Sequence, residues 1–315
     1  MTMTQGNVAI ERLCRLAGVS RAGYYRFWQH SAPRQHDTAV RDAIQRLAVA
    51  NGRHRGYRYL SHQLRREGLV VNHKCVLRLM RKDNLLCLRT RPFVPCTTDA
   101  RHSWTVVPNL ARGLELTDLD QLWVADITYI HLQEEFAFLA VVLDAFSRRV
   151  VGWAMADHLQ ASLAVAALTM ALEHRRPAPD SLIHHSDRGV QYACAEYSQL
   201  LQAHGIAASM SRVGNPYDNA KAESFMKTLK VEEVDGTRYR DRAEAARGIG
   251  TFIEEIYNSQ RLHSALGYRP PAEFEAWHQA ARGPGVGDAA RSEGSAPPTP
   301  AQPLDLTSLP VQPRD

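Results

Sequence analysis

Three carboxylates stand out by their surroundings: Asp126 in LWVADITYI, Asp187 in SLIHHSDRG and Glu223 in NPYDNAKAESFMKTLK. The second and third have 35 residues between them, 188 through 222. In a chain with 33 acidic residues, spacing alone proves little. Context carries more. Asp is disfavoured inside strands, and a buried carboxylate without a partner costs several kcal/mol. Asp126, between Val124 and Thr128 in an apolar run, therefore needs a basic partner, for which Arg148 and Arg149 are candidates, or a cation. Asp187 ends a second apolar run, where open α/β sheets gather their active sites. Arg188-Gly189 then makes a tight exit, although an aspartate there also suits a helix N-cap.

Glu223 lies in a helical pattern. Asn219, Glu223, Lys227 and Lys230 are four, four and three residues apart and so share one face. Ala222, Phe225, Met226 and Leu229 form the opposite, core-facing side. A solvated Glu–Lys pair is the plain alternative, worth a few tenths of a kcal/mol. With the other two carboxylates, the face reads as a metal ligand beside two phosphate-gripping lysines. Two hard cations about 3.5–4 Å apart, held by carboxylates, suit in-line phosphoryl transfer. Mg²⁺ needs few protein ligands because water and substrate phosphate complete its shell.

The elements that must position these groups begin near residue 116. QLWVADITYI reads as a strand, and EFAFLAVVLDAF and RRVVGWAMA make two more around a polar turn from Asp144 to Arg148. ASLAVAALTMALEHRR is a helix and SLIHHSD a fourth strand. AEYSQLLQAHG is a helix with a Gly stop, and IAASMS is a short fifth strand. The Glu223 helix follows, then a last helix in AARGIGTFIEEIYN. Meandering strands followed by alternating helices and strands imply an α/β sheet of mixed direction. Asp144 reads as a structural turn residue, and His184 and His185 as packing or hydrogen-bonding groups.

Ahead of the sheet lie helices. Residues 8–29 outline two short helices around Gly18-Val19-Ser20. Ile10, Leu13, Leu16 and Ala17 give the first an apolar face, and Ser20 caps a second that exposes Arg21 and Arg26. A further helical unit in residues 38–87 has core positions at Ala43, Ile44, Leu47, Ala48, Leu60, Leu64, Val76, Leu79 and Met80. Arg55, Arg58, Arg65, Arg66, Arg78 and Arg81 crowd its surface. The expected organisation is a helix-turn-helix-like segment in 1–37, a second helical DNA-binding region in 38–87 and a linker in 88–115. A catalytic core follows in 116–280 and a disordered tail in 281–315, whose Pro, Gly, Ser and Ala bury too little to order.

Charge follows the same division. Residues 1–112 hold 20 Lys and Arg against six acids, a balance of +14; the remainder holds 18 against 27, or −9. A basic first third beside acidic machinery fits work on a polyanion. No apolar run approaches the roughly 18 residues of a membrane span, and the first residues lack a signal-peptide pattern. The expectation is a cytoplasmic protein with no membrane association. The five cysteines form no C-x-x-C pair, which argues for free thiols. His62, His73, Cys75 and Cys87 lack typical zinc spacing.

The motifs WVADITYI, VLDAFSRRVVGW, HSDRGVQY, SMSRVGNPYDNAKAESFMKTLK and YNSQRLHSALGYRPPAEF, from about residue 121 to 274, resemble the OrfB transposases of the insertion-sequence-three family. GYRYL through VLRLMRK resembles the helical region before their core. Cys75 stands where that region would carry a basic residue.

The resemblance implies an RNase H-like, integrase-type core: a mixed five-stranded sheet with flanking helices, preceded by an all-α helix-turn-helix-like region. It implies a catalytic, metal-binding triad of Asp126, Asp187 and Glu223 loaded with Mg²⁺, two ions, with Mn²⁺ as a substitute. Lys230 falls at a basic family position, and Asp144, Arg148, Asn215, Pro216, Asp218 and Asn219 match motif positions. DNA contacts are expected at Asn219, Lys227, Lys230, Arg21, Arg26, Arg55, Arg58 and Arg78. The implied activity is cleavage at terminal inverted repeats and strand transfer into target DNA, in a homo-oligomer, with an OrfA protein as partner or frameshift fusion. A catalytically inactive DNA-binding regulator is the alternative, and an RNase H-type nuclease a third reading.

Overall fold

The computed structural model describes residues 10–28, 35–50, 54–87, 107–211 and 219–282. Most of the expected linker, residues 283–315 of the tail, and Asn215, Pro216 and Asp218 lie outside the described residues. The chain divides after Leu86 into two compact units.

The first unit is helical: α1 (Ile10–Leu16), α2 (Arg21–Trp28), α3 (Gln35–Ala50), α4 (Tyr57–Arg66) and α5 (His73–Lys82). Ser20 starts α2 as expected, its Oγ accepting from Gly23 N at 2.9 Å. Asn72 does the same for α5, accepting from Lys74 N at 2.8 Å. The expected core of α3–α5 closes around Ile44, Leu60, Leu64, Val76, Leu79 and Met80. The apolar face expected on α1 is not the packed one. Leu13 and Leu16 are exposed and Cys14 is buried, because two turns are too few for periodicity to fix which side packs. Arg55 is also not a surface residue. It is buried, with its guanidinium 4.8 Å from the Tyr59 ring centroid, where a planar cation keeps its charge against an aromatic face.

The second unit is a five-stranded sheet in the order β3-β2-β1-β4-β5. Its strands are β1 (Leu122–His131), β2 (Phe136–Asp144), β3 (Val150–Ala156), β4 (Ile183–Ser186) and β5 (Ala207–Met210). β1–β2 and β2–β3 are antiparallel hairpins, whereas β4 is parallel to β1 and β5 to β4. One sheet face packs on α6 (Ala161–Arg175), α7 (Val190–Ala193) and α8 (Ala195–Ala203). The other packs on α9 (Ala220–Leu229) and α10 (Arg242–Thr251). α9 runs on into a π-helical turn, Lys230–Val234, and α10 into another, Phe252–Tyr257.

A final helix, α11 (Pro271–Arg282), was not expected from PPAEFEAW. Pro271 is suited to a first helical turn. A buried acid then anchors the helix: Glu275 takes hydrogen bonds from Ser147, Arg149 and Arg175. Burying a carboxylate on a short C-terminal helix is invisible to patterning because its partners are 100 or more residues away. Among the described residues, no helix is long and apolar enough to cross a membrane.

Close approach of α6 to β3 depends on Gly152. A Cβ there would lie 2.2 Å from Ala167 O and 2.8 Å from the Ala171 Cβ. Gly152→Ala should therefore destabilise the unit by roughly 1–3 kcal/mol, read as a lower urea midpoint with an unchanged slope. A midpoint equal to wild type would show that the helix can shift at no cost.

Candidate active site

β1 and β4 pair only from Leu122↔Ile183 to Val124↔His185. Two residues beyond that last pair lie Asp126 on β1 and Asp187 just after β4. The parallel register thus brings two acids, distant in sequence, to the same level where the strands part. Among the described residues, β1 continues to His131 paired only with β2 on its other side. The third acid, Glu223, is in the first turn of α9, whose apolar side (Ala222, Phe225, Met226, Leu229) is buried with Val124 and Ile130 of β1.

Electrostatics ties the three together. The Asp126 carboxyl is pushed up from 3.8 to about 7, first by burial and then by the Asp187 charge. Ile127 N–H, donating to Oδ1 at 2.9 Å, holds it down; Glu223 raises it further and Lys230 lowers it. Burial also raises Glu223. Asp187 Oδ1 accepts from Gly189 N at 2.9 Å, at the start of α7. The N-cap of α7 is Gly189, with no side-chain cap bond, so Asp187 organises the turn before the helix rather than capping it, and it stays in the field of Asp126.

The expected basic partners are elsewhere. Arg149 is bound to Glu275, and Arg148 is in the left-handed turn after β2 (φ 63°). The cation acting on Asp126 is Lys230. Its Nζ lies 4.2 Å from the Tyr129 ring centroid, and burial lowers its pKa although Asp235 and Asp126 attract its charge.

Lys227 is exposed on α9 as expected. Asn219 is not on that face. It is buried, precedes the helix in a non-helical conformation, and gives its side chain to Ala125 O. Helical spacing does not apply to a residue outside the helix, and the expectation of a DNA-facing Asn219 is corrected accordingly. The structure departs from one shared face for a second reason: Lys230 belongs to the π-helical turn and leans toward β1.

Three other expectations hold. His184 is buried, bonded to Tyr197 Oη at 2.9 Å and lowered to about 3 by burial. His185 lies between the Ser209 and Ser211 hydroxyls at 2.8 and 3.0 Å. Asp144 is fully buried and accepts from the backbone N–H groups of Asp120, Phe146 and Ser147, which makes it a turn organiser. In the first unit Arg21, Arg58 and Arg78 are exposed. Arg58 lies over the Tyr57 ring and Arg78 donates to Cys75 Sγ. Arg26 is on α2, but its side chain lies outside the described residues.

Three hard oxygen donors, two of which raise the proton affinity of Asp126, fit a divalent cation in chemistry. They do not form a finished cage. Among the described residues no group of three or more His, Cys, Asp or Glu is gathered closely enough to hold a metal. Like charges in one pocket repel, so closing the last distance requires a positive charge between them.

Residues 118–216 and 204–271 match the integrase core domain family, and residues 35–93 match an HTH-like domain. Transposase InsF of insertion sequence IS3A from Escherichia coli K12 is 36% identical over 86% of this chain and 95% of its own. The chain belongs to the IS3-family transposases. A 31 kDa protein of insertion element IS600 from Shigella sonnei is 40% identical over 85% of this chain and all of its own. The IS3-family chain is thus a DDE-type polynucleotidyl transferase with an integrase-like core. Among solved structures, the BIV integrase catalytic core covers 52% of this chain and 98% of its own, at 19% identity and TM-score 0.37. The simian T-cell lymphotropic virus intasome in complex with the PP2A regulatory subunit B56 gamma covers 77% of both chains, at 17% identity and TM-score 0.43.

The raised Asp126 carboxyl has a consequence for stability. Without cation, the folded protein keeps a proton that the unfolded chain releases near 3.8. A raised folded pKa means a stability contribution that is full below about pH 4 and lost as pH rises to about 7. Asp126→Asn has no such loss. In chelator, its melting temperature should exceed wild type by a margin that widens from pH 4 to 7, reaching a few degrees, and then stays constant. A margin independent of pH would place the Asp126 titration in its ordinary range.

Proposed function

We propose that Asp126, Asp187 and Glu223 are the catalytic triad and hold divalent cations, Mg²⁺ with Mn²⁺ as a substitute, two per site. The transposase cuts the ends of its insertion sequence and joins them to target DNA. The observation that carries this reading is that Asp126 and Asp187 each follow the last β1–β4 pair by two residues, with Asp126 in the field of both Asp187 and Glu223. When bound, the cations supply a lowered pKa for the attacking oxygen and charge neutralisation at the leaving oxygen.

The chain's own groups supply the rest. Asp126 and Asp187 present oxygens from a rigid sheet, and Glu223 presents one from a helix packed on it. Lys227 and Lys230 hold backbone phosphates, and the stacking of Lys230 on Tyr129 fixes where its charge sits. In the first step a water oxygen bonds to phosphorus at the element end and the 3′-oxygen leaves, taking up a proton as a 3′-hydroxyl. In the second, that hydroxyl attacks a target phosphodiester, loses its proton, and expels another 3′-oxygen. One P–O bond forms and one breaks in each step, so neither ATP nor a covalent protein–DNA intermediate is required.

Terminal inverted repeats are bound by the helical first third through Arg21, Arg26, Arg58 and Arg78. Two ends must meet for transposition, so the working form is a homo-oligomer on DNA. An OrfA protein, free or fused, is the further partner. The boundaries read from the sequence, with the core in 116–280, serve as the functional division.

Asp126→Asn, Asp187→Asn and Glu223→Gln should each reduce cleavage and joining of a supercoiled donor to background, with DNA affinity within about threefold of wild type. Full activity in any one removes that residue from the triad. Cleavage of an RNA–DNA hybrid in preference to the donor would instead support the RNase H-type reading. Separately, Arg58→Ala and Arg78→Ala should each reduce the slope of log affinity against log salt by about one unit. Unchanged slopes would move the phosphate contacts to the core.

A further inference from the structure

Asn219 stands at the start of α9 with φ −119° and ψ 24°, and is 5% exposed. An asparagine in that place ordinarily turns its side-chain oxygen back onto the free N–H groups of its own helix. No such cap bond forms here. The side chain crosses to the sheet instead, and Nδ2 donates to Ala125 O at 3.0 Å. A carbonyl only accepts, so the amide orientation is determined by its partner. Oδ1 is left buried with no hydrogen-bond partner among the described residues. A helix cap is forfeited and a buried acceptor goes unsatisfied, two local costs that one backbone contact does not repay in stability.

The contact joins two informative places. Ala125 immediately precedes Asp126, and Asn219 precedes Glu223 by four residues, about one helical turn. Ala222, Phe225, Met226 and Leu229 hold the helix to the sheet by apolar burial, which is non-directional and tolerates sliding. The Asn219–Ala125 bond is directional and sets how far along β1 the helix begins.

We propose that Asn219 is a positioning residue for the carboxylate pair. It fixes the rise and rotation of Glu223 relative to Asp126 so that both reach one divalent cation, and it does not contact DNA. This inference rests on the cation-binding reading above.

The full chain carrying Asn219→Ser or Asn219→Asp tests it. Serine remains a good N-cap but is too short to reach Ala125, whereas aspartate keeps the shape and loses the donor. Mn²⁺ binding without DNA is followed by electron paramagnetic resonance, with parallel measurements of melting temperature, duplex affinity and the Mg²⁺ dependence of cleavage. Both variants should bind Mn²⁺ about 10- to 100-fold more weakly, keep duplex affinity within about twofold, and recover cleavage as Mg²⁺ is raised. Wild-type Mn²⁺ affinity in the serine variant would overturn the proposal and leave Asn219 as a helix start. Loss of duplex affinity with Mn²⁺ binding intact would overturn it in favour of a DNA contact. Loss of folding in both variants would assign the bond to global stability and equally overturn it. Absence of Mn²⁺ binding in the wild-type chain would instead sink the cation reading, and this inference with it.

Discussion

Repulsion among carboxylates that the backbone forces together is the constraint around which the catalytic unit is organised. β4 stops pairing with β1 after Val124↔His185, and Asp126 and Asp187 each lie two residues beyond that last pair. The last β1–β4 rungs and the two apolar faces of the sheet position the backbone from which both acids project. Their mutual field, with burial, drives Asp126 to about 7. A protein that folds in this way has spent packing energy on a place where positive charge is wanted. The nearby lysine does not supply it in full, because Lys230 is held over Tyr129.

The surrounding elements serve that placement. α6 closes on β3 only because Gly152 has no Cβ, which steadies the hairpin behind β1. Asp144 gathers three backbone donors to form the turn between β2 and β3. Asn258 bonds both the N–H and the C=O of Val150, extending the β3 end with a side chain. Glu275 of α11 then neutralises Arg149 and Arg175. The C-terminal stretch from Asn258 to Glu275 thus braces the β2–β3 hairpin through its two ends.

Much of this was legible in the residues. Strands with period-two or continuous apolar texture, the α6 and α8 helices and the core positions of α3–α5 all stand where patterning puts them. Those features depend on neighbours in sequence. What patterning misplaced depends on distant partners or on residues at element ends. Arg55 looks like surface until Tyr59 covers it. Asn219 fits a helical face by arithmetic, yet the helix begins one residue later. α11 is short and weakly patterned, and its anchoring acid finds partners 100 or more residues away. The three acids were legible as three residues in three contexts; the register that sets two of them equally far beyond the last β1–β4 pair was not, because it arises only when β1 and β4 pair.

Anomalous diffraction from crystals grown with Mn²⁺ tests the central claim most directly. Manganese should lie between the Asp126 and Asp187 carboxylates, with a Glu223 oxygen drawn into the same shell. Manganese bound elsewhere, or those three side chains unchanged and apart at saturating Mn²⁺, would contradict it.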